Sequence, residues 1–205
     1  MRRVSPVIIL KGNMEGMKKI YLFIVFILLL TSCGPAIKPT RLYLSEVKLD
    51  VPFEPNLGDT CFSSAFAMVI RYWGKDVHVD DVVKVVGHPP FTGYDHPELN
   101  WWMKRNHGLK FKYLPNSSIE HVKLYLNKGY PVIVHQTFSL NENTGHIRVV
   151  IGYSDNKGGF IINDPSWLGQ NYEISYADFK KLWHRITLYE PGPSNKAYLV
   201  MPINK

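Results

Sequence analysis

Three side chains far apart in the chain together make up a nucleophile, a base and an orienting group: Cys61, His146 and Asp164. A thiol attacks a carbonyl well only as a thiolate or with a base at hand, and an imidazole is a useful base only when another group fixes its tautomer. Cys61 follows the turn-forming stretch Asn56-Leu57-Gly58-Asp59-Thr60 and opens an apolar run to Trp73 that stops at Gly74, which predicts a helix with the thiol in its first turn. There, unpaired N–H groups and the positive end of the helix dipole are expected to lower the thiol pKa and to face a developing oxyanion. His146 heads a strand after Thr144-Gly145, and Asp164 ends the next strand in Asn163-Asp164-Pro165. If 147–153 pairs with 159–163 through the turn at 155–158, the start of the first strand lies across from the end of the second, and His146 meets Asp164. Singly, each residue has a plain structural explanation: a buried core thiol, a turn cap, a turn carboxylate. As a set they have the parts of a Cys-His-Asp hydrolase, with a peptide or amide as substrate.

The chain has two cysteines, and the other one, Cys33, closes a different pattern. Lys18-Lys19, the apolar run 20–30 and the small residues around Cys33 form a signal-peptide layout. That run is shorter than the roughly 20 apolar residues a spanning helix needs. Leu30-Thr31-Ser32-Cys33 resembles the bacterial lipobox, which implies a diacylglycerol on the Cys33 thiol and Cys33 as the mature N-terminus. Residues 1–32 are therefore read as a signal peptide, with Met17 as the expected true start, 33–50 as a lipidated tether and 51–205 as the domain. By the same resemblance, Gly34 in place of aspartate implies the outer membrane, facing the periplasm, if the cell is Gram-negative. The mature protein then keeps one free thiol, Cys61, in a compartment where paired cysteines become disulfides. A monomer held to the membrane by its lipid is expected.

At 205 residues, 45% hydrophobic and 20% charged, the composition is that of an ordinary globular domain. Five of the 24 basic residues and one of the 17 acidic ones lie in the first 32, so only +3 of the formal +7 belongs to the rest. Without long basic runs this leaves no footprint for nucleic acid. Helices are predicted at 61–73, 79–86, from Pro97 to near Gly108, and from a cap at Ser117 or Ser118 to about Lys128. Strands follow at 131–138, 147–153 and 159–163, then a helix at 176–183 and a strand at 197–201. Helices first and an antiparallel sheet afterwards make an α+β fold, with the Cys61 helix buried against the sheet. His88, Asp95, His96 and Glu98 share one loop, but their spacing matches no ligand pattern, so no metal or other cofactor is expected. Of Trp101 and Trp102, about 100° apart on a helix, at most one belongs in the core. Of His135 and Gln136, one faces inward as a satisfied sheet residue.

The stretch 51–81, with Val51-Pro52, Asp59-Thr60-Cys61, Ala65, Met68-Val69 and Tyr72-Trp73-Gly74, resembles the peptidase C39-like family of papain-like cysteine peptidases. So do 129–134 (Gly-Tyr-Pro-Val-Ile-Val), 145–153 (Gly-His-Ile-Arg-Val-Val-Ile-Gly-Tyr) and Asn163-Asp164-Pro165. The resemblance implies a papain-like fold, the Cys61-His146-Asp164 triad and an acyl-enzyme intermediate. Two positions depart from it. A glutamine that helps form the oxyanion hole usually stands about six residues before the nucleophile, where this chain has Pro55 and then Asn56, a shorter amide able to donate the same bond. Glycine usually follows the cysteine, where this chain has Phe62, whose bulk is expected to narrow or occlude the site. Two other readings stay open. One is an inactive papain-fold module binding a peptide or envelope component. The other is a cell-wall amidase or endopeptidase similar to the NlpC/P60 lipoproteins, although their Asp-Cys-Ser-Gly motif is absent.

Overall fold

A computed structural model of the chain describes residues 43–56, 58–87, 96–142, 144–183 and 195–204. The signal segment, Met17, Cys33 and most of the tether lie outside these residues, as do His88 and Asp95. No described helix is long and apolar enough to cross a membrane.

Helix α1 (Cys61–Tyr72) is buried over every residue from 62 to 70. A helix with no polar face has to be covered all round, and this one lies between the sheet and two further helices. It ends where Gly74 takes φ +73°, a left-handed turn that needs no Cβ. Arg71 in the last turn pairs with Glu54 of the preceding loop. Helix α2 (Val79–Val86) begins with a capping box between His78 and Asp81, and buries Val79, Val82 and Val86 on one stripe. Helix α3 (Pro97–His107) starts on proline and stops at Gly108 in the left-handed region. Helix α4 (Ile119–Asn127) is capped by Ser118, whose hydroxyl accepts the His121 N–H, and α5 (Tyr176–Trp183) precedes the last strand.

Seven strands form one antiparallel sheet: β1 (Glu46–Lys48), β2 (Leu109–Leu114), β3 (Val132–Thr137), β4 (Gly145–Ser154), β5 (Gly159–Asp164), β6 (Gly169–Ser175) and β7 (Lys196–Pro202). Their order is β2-β7-β3-β4-β5-β6, with β1 paired to the second half of β4. Both faces are covered. Ile133, Ile147, Val149 and Ile151 meet α1, α2 and α3 in one core, and Val132, Val134, Val150 and Ile162 meet α4 and α5 in the other. The middle strands are accordingly apolar on both faces rather than alternating. A bulge between Val150 and Gly152 shifts the register of β4 against β5. A Cβ on Gly152 would run into the Val47 carbonyl oxygen, so glycine there lets β1 lie close.

The α+β class, the buried Cys61 helix and the hairpin match the expectation. Three strands were not predicted: β2, β6, and β1, which lies inside the stretch read as tether. The last residues of that stretch pair Glu46, Val47 and Lys48 with Ser154, Tyr153 and Gly152, so the sheet begins before position 51.

Candidate active site

Asn56 lies in the loop before α1, Cys61 opens α1, Asp164 closes β5, and His146 stands second in β4, near its starting end. The last β4–β5 pair toward that end is Val149 with Asn163. Asp164 therefore lies across from Arg148, with His146 its diagonal neighbour two residues nearer the start of β4 and on the same face. His146 Nε2 and Asp164 Oδ1 are 2.8 Å apart and both side chains are buried. An ionised carboxylate only accepts, so Nε2 carries the proton and Nδ1 keeps a free lone pair. The same Oδ1 also accepts from the Ser166 N–H at 2.8 Å and the Ser166 hydroxyl at 2.6 Å. Oδ2 accepts from Arg148 Nε at 2.6 Å. Burial alone would push the Asp164 carboxyl up, but the donors His146, Arg148 and Ser166 overcome it and hold the group well below the usual carboxylate range.

Beyond Val149 the β5 strand no longer covers the edge of β4, and Cys61 takes the place. Its thiol receives the backbone N–H of Ile147, the residue after His146, and that of Phe62. Placing a sulfur there requires the loop 51–60 to be fixed against the end of β5, and three bonds do this. Asn163 Nδ2 donates to the Val51 carbonyl at 3.1 Å, the Asn56 N–H to Pro165 O at 2.6 Å, and Ser64 Oγ to Pro55 O at 3.2 Å. The loops that carry Cys61 and Asp164 thus share one hydrogen-bonded frame.

One expectation is corrected here. The helix end was expected to lower the thiol pKa, but burial pushes the half-buried Cys61 thiol up, against the two N–H bonds that lower it, and Asp164 and Asp59 add to the rise. Burial likewise pushes the His146 imidazole down, against the raising effect of the Asp164 hydrogen bond, and Arg148 pushes it further the same way. Thiol and imidazole are therefore both neutral near pH 7. This arrangement favours proton transfer during attack over a standing thiolate-imidazolium pair.

Phe62, expected to crowd the site, is 7% exposed and turned into the core. Its ring lies 4.6 Å from those of Phe66 and His96. Asn56 has a role the sequence did not announce: its Oδ1 accepts both the N–H and the hydroxyl of Thr60, each at 2.8 Å, bracing the turn into α1. With the oxygen so held, Nδ2 is the donor end, and among the described residues it takes no partner.

Elsewhere, Gln136 is the inward residue of its pair, donating to Phe179 O at 3.1 Å, while His135 lies over Gly145. Trp102 is half-buried against His107, and Trp101 is exposed beneath Arg105. Among the described residues no group of three or more His, Cys, Asp or Glu could hold a metal ion. Sequence reasoning gave no role to Arg148, Ser166, Phe138 or Trp167. Phe138 sits 5.0 Å edge-on to the His146 ring, and Trp167 is 81% exposed in the turn after Asp164. Arg148 did leave a signal, since a charge inside an otherwise apolar strand is rare unless paired.

A pH dependence of stability follows. His146 resists protonation in the fold, while the unfolded chain takes up that proton at the ordinary value of 6.5. Its contribution is present above 6.5 and lost as pH falls through that value toward the lower folded one. The Asp164 contribution is lost further down, below the ordinary carboxylate range. Urea denaturation at pH 7.5 and at pH 5.5 is expected to show a loss on acidification that is smaller in His146→Gln than in the wild type.

A model of the "Peptidase_C39 like family" matches residues 48–190. A search of curated proteins finds no match. Among solved structures, a C39-like peptidase from Bacillus anthracis is similar at 20% identity, TM-score 0.59, over 76% of this chain and 97% of its own. A double-glycine-motif protease from an AMS/PCAT transporter, solved with its leader peptide, is similar at 20% identity, TM-score 0.54, over 76% and 94%. The peptidase domain of Streptococcus ComA, a bifunctional ABC transporter in a quorum-sensing pathway, is similar at 17% identity, TM-score 0.54, over 73% and 97%. At these identities the structures show a shared fold.

Proposed function

The chain belongs to the peptidase C39-like family, and from that premise we propose that it is an active cysteine peptidase that cleaves peptide or amide bonds through Cys61, His146 and Asp164. One arrangement supports this most: a carboxylate that fixes the His146 tautomer, beside a thiol held by the N–H of the next residue. In the proposed reaction Cys61 Sγ attacks the carbonyl carbon while His146 Nδ1 takes the thiol proton. The tetrahedral oxyanion meets the Cys61 N–H and Asn56 Nδ2. His146 then gives its proton to the leaving amine as the C–N bond breaks, and water, deprotonated by His146, hydrolyses the thioester and frees Cys61. Asp164 stays ionised throughout and holds the imidazolium that forms at each proton transfer.

The setting we propose is the bacterial cell envelope, with the domain tethered through lipid on Cys33. The support is the arrangement of 18–34, a charged pair, a short apolar run and a lipobox-like end. Metabolic labelling with a palmitate analogue tests it: incorporation is expected in the wild type and none in Cys33→Ala. The activity is tested by incubating the purified domain with a mixed peptide library and with a cell-wall digest, and reading new termini by mass spectrometry against Cys61→Ala. Binding without new termini in either mixture would favour the inactive module, and the raised thiol pKa is the observation on that side.

Substrate enters beside Trp167 in this reading. The residue is two positions past Pro165, whose carbonyl accepts the Asn56 N–H, so the turn that carries it is tied to the loop before α1 while its side chain is exposed. An apolar substrate side chain resting there contributes binding shared by ground and transition states. Trp167→Ala is expected to raise KM about tenfold with kcat little changed; steady-state kinetics on a cleaved library peptide checks it.

A further inference from the structure

We infer that Arg148 is a positioning residue of the proposed site: its guanidinium fixes the Asp164 carboxylate toward His146, ties that pair to the end of β3, and opposes the acid's charge at the imidazole. The inference rests on the Cys-His-Asp reading and adds a fourth side chain to it.

Arg148 is 2% exposed, on the sheet face that also carries the buried Val132, Val134, Val150 and Ile162. Burying a guanidinium there carries a desolvation cost that a valine would not incur, so its bonds must compensate. Nε donates to Asp164 Oδ2 at 2.6 Å, and the carboxylate is left with Oδ1 toward His146. One terminal nitrogen donates to Thr137 O at 3.0 Å and Gln136 Oε1 at 3.3 Å, the other to Phe138 O at 2.7 Å. Gln136 and Thr137 are themselves bonded to the α5 carbonyls of Phe179 and Leu182. The planar fork therefore fastens β5, β3 and the chain leading to the Phe138 ring to one point, which a single ammonium could not do.

The charge matters as much as the bonds. Among the described residues the charged groups that act on His146 are Asp164 from β5 and Arg148 from its own strand; across β3 it meets the neutral Gln136, while His135, one residue before, points to the other face of the sheet. An ionised Asp164 alone at hydrogen-bond distance would strongly favour imidazolium. Burial does most to keep the imidazole neutral, and Arg148 adds to it: with the guanidinium on its other oxygen, Asp164 directs the proton on Nε2 while its charge at the ring is opposed.

The test is an NMR titration of His146 in the purified wild-type domain, Arg148→Gln and Arg148→Lys, with the pH dependence of Cys61 alkylation in each. In the wild type His146 is expected to titrate below 6.5. Arg148→Gln should raise that value by about one unit or more. Arg148→Lys should hold it near the wild type while slowing alkylation several-fold, since charge survives and alignment does not. An Arg148→Gln value equal to the wild type overturns the inference. Should that variant fail to fold, a wild-type His146 titrating at or above 6.5 overturns it alone. Failure of the parent reading looks different: His146 titrates as expected and moves with Arg148, but the wild type cleaves nothing.

Discussion

Cys61→Ala is expected to lose turnover on every substrate the wild type cleaves, by on the order of 10⁴-fold or more. Nothing nearby can take over. The mature chain in the lipobox reading has no second thiol, and the hydroxyls that follow in α1, Ser63 and Ser64, are buried in the core. The fold should survive the change. Alanine is the best helix former, the position is the first of α1, and the thiol is only half-buried, so the stability change should stay within about 1 kcal/mol. Cleavage assays and thermal melts run on the same preparations check both halves. Loss of activity with an unchanged melt assigns the effect to chemistry rather than folding.

Asp164→Asn is expected to damage both function and stability. An amide presents N–H as well as oxygen, so it can donate to His146 Nε2 and force the proton onto Nδ1, the nitrogen needed as base. A wrong tautomer of this kind lowers kcat by about 10² to 10⁴. At the same time Arg148, already 2% exposed, loses its only anionic partner among the described residues. Breaking a buried pair by removing one partner costs about 3 to 5 kcal/mol, a large share of the 5–15 typical of a domain. The double variant Asp164→Asn/Arg148→Met should recover much of the stability and none of the activity. Denaturant midpoints and kcat for the three proteins separate the two effects.

The elements with strong patterns could be read from the chain. Cys61 to Tyr72 is apolar all round and stops at glycine, Val79–Val86 carries its own cap, and the β4–β5 hairpin has two apolar runs around Asp155-Asn156-Lys157-Gly158. From that hairpin the meeting of His146 and Asp164 followed. The missed strands are those whose sequence lacks a core-facing pattern. β6 is a polar edge strand with Ile174 as its one fully buried side chain, joined to the sheet through its backbone. β1 has three residues, and β2 begins directly after the Gly108 helix stop, so its alternation is hidden by its neighbour. The thiol's ionisation was misread for a different reason. A helix end is a local feature visible in sequence, whereas desolvation depends on Ile147, α1 and the loop 51–60 closing around the sulfur. Phe62 similarly looked obstructive only because the direction of a side chain in a helix's first turn depends on what packs there, and here Phe66 and His96 draw it inward.

In the proposed reaction Cys61 is a nucleophile worked by His146. That role is tested most directly by the rate of Cys61 alkylation by iodoacetamide from acid to alkaline pH, read by intact mass in the wild type and in His146→Gln. A first rise is expected as His146 loses its proton below 6.5. A plateau faster than a free thiol peptide should then run through neutral pH, with a second rise above the ordinary thiol value of 9.0. The plateau should vanish in His146→Gln. A rate that climbs through one alkaline ionisation alone, equal in both proteins and no faster than the free peptide near pH 7, would contradict it.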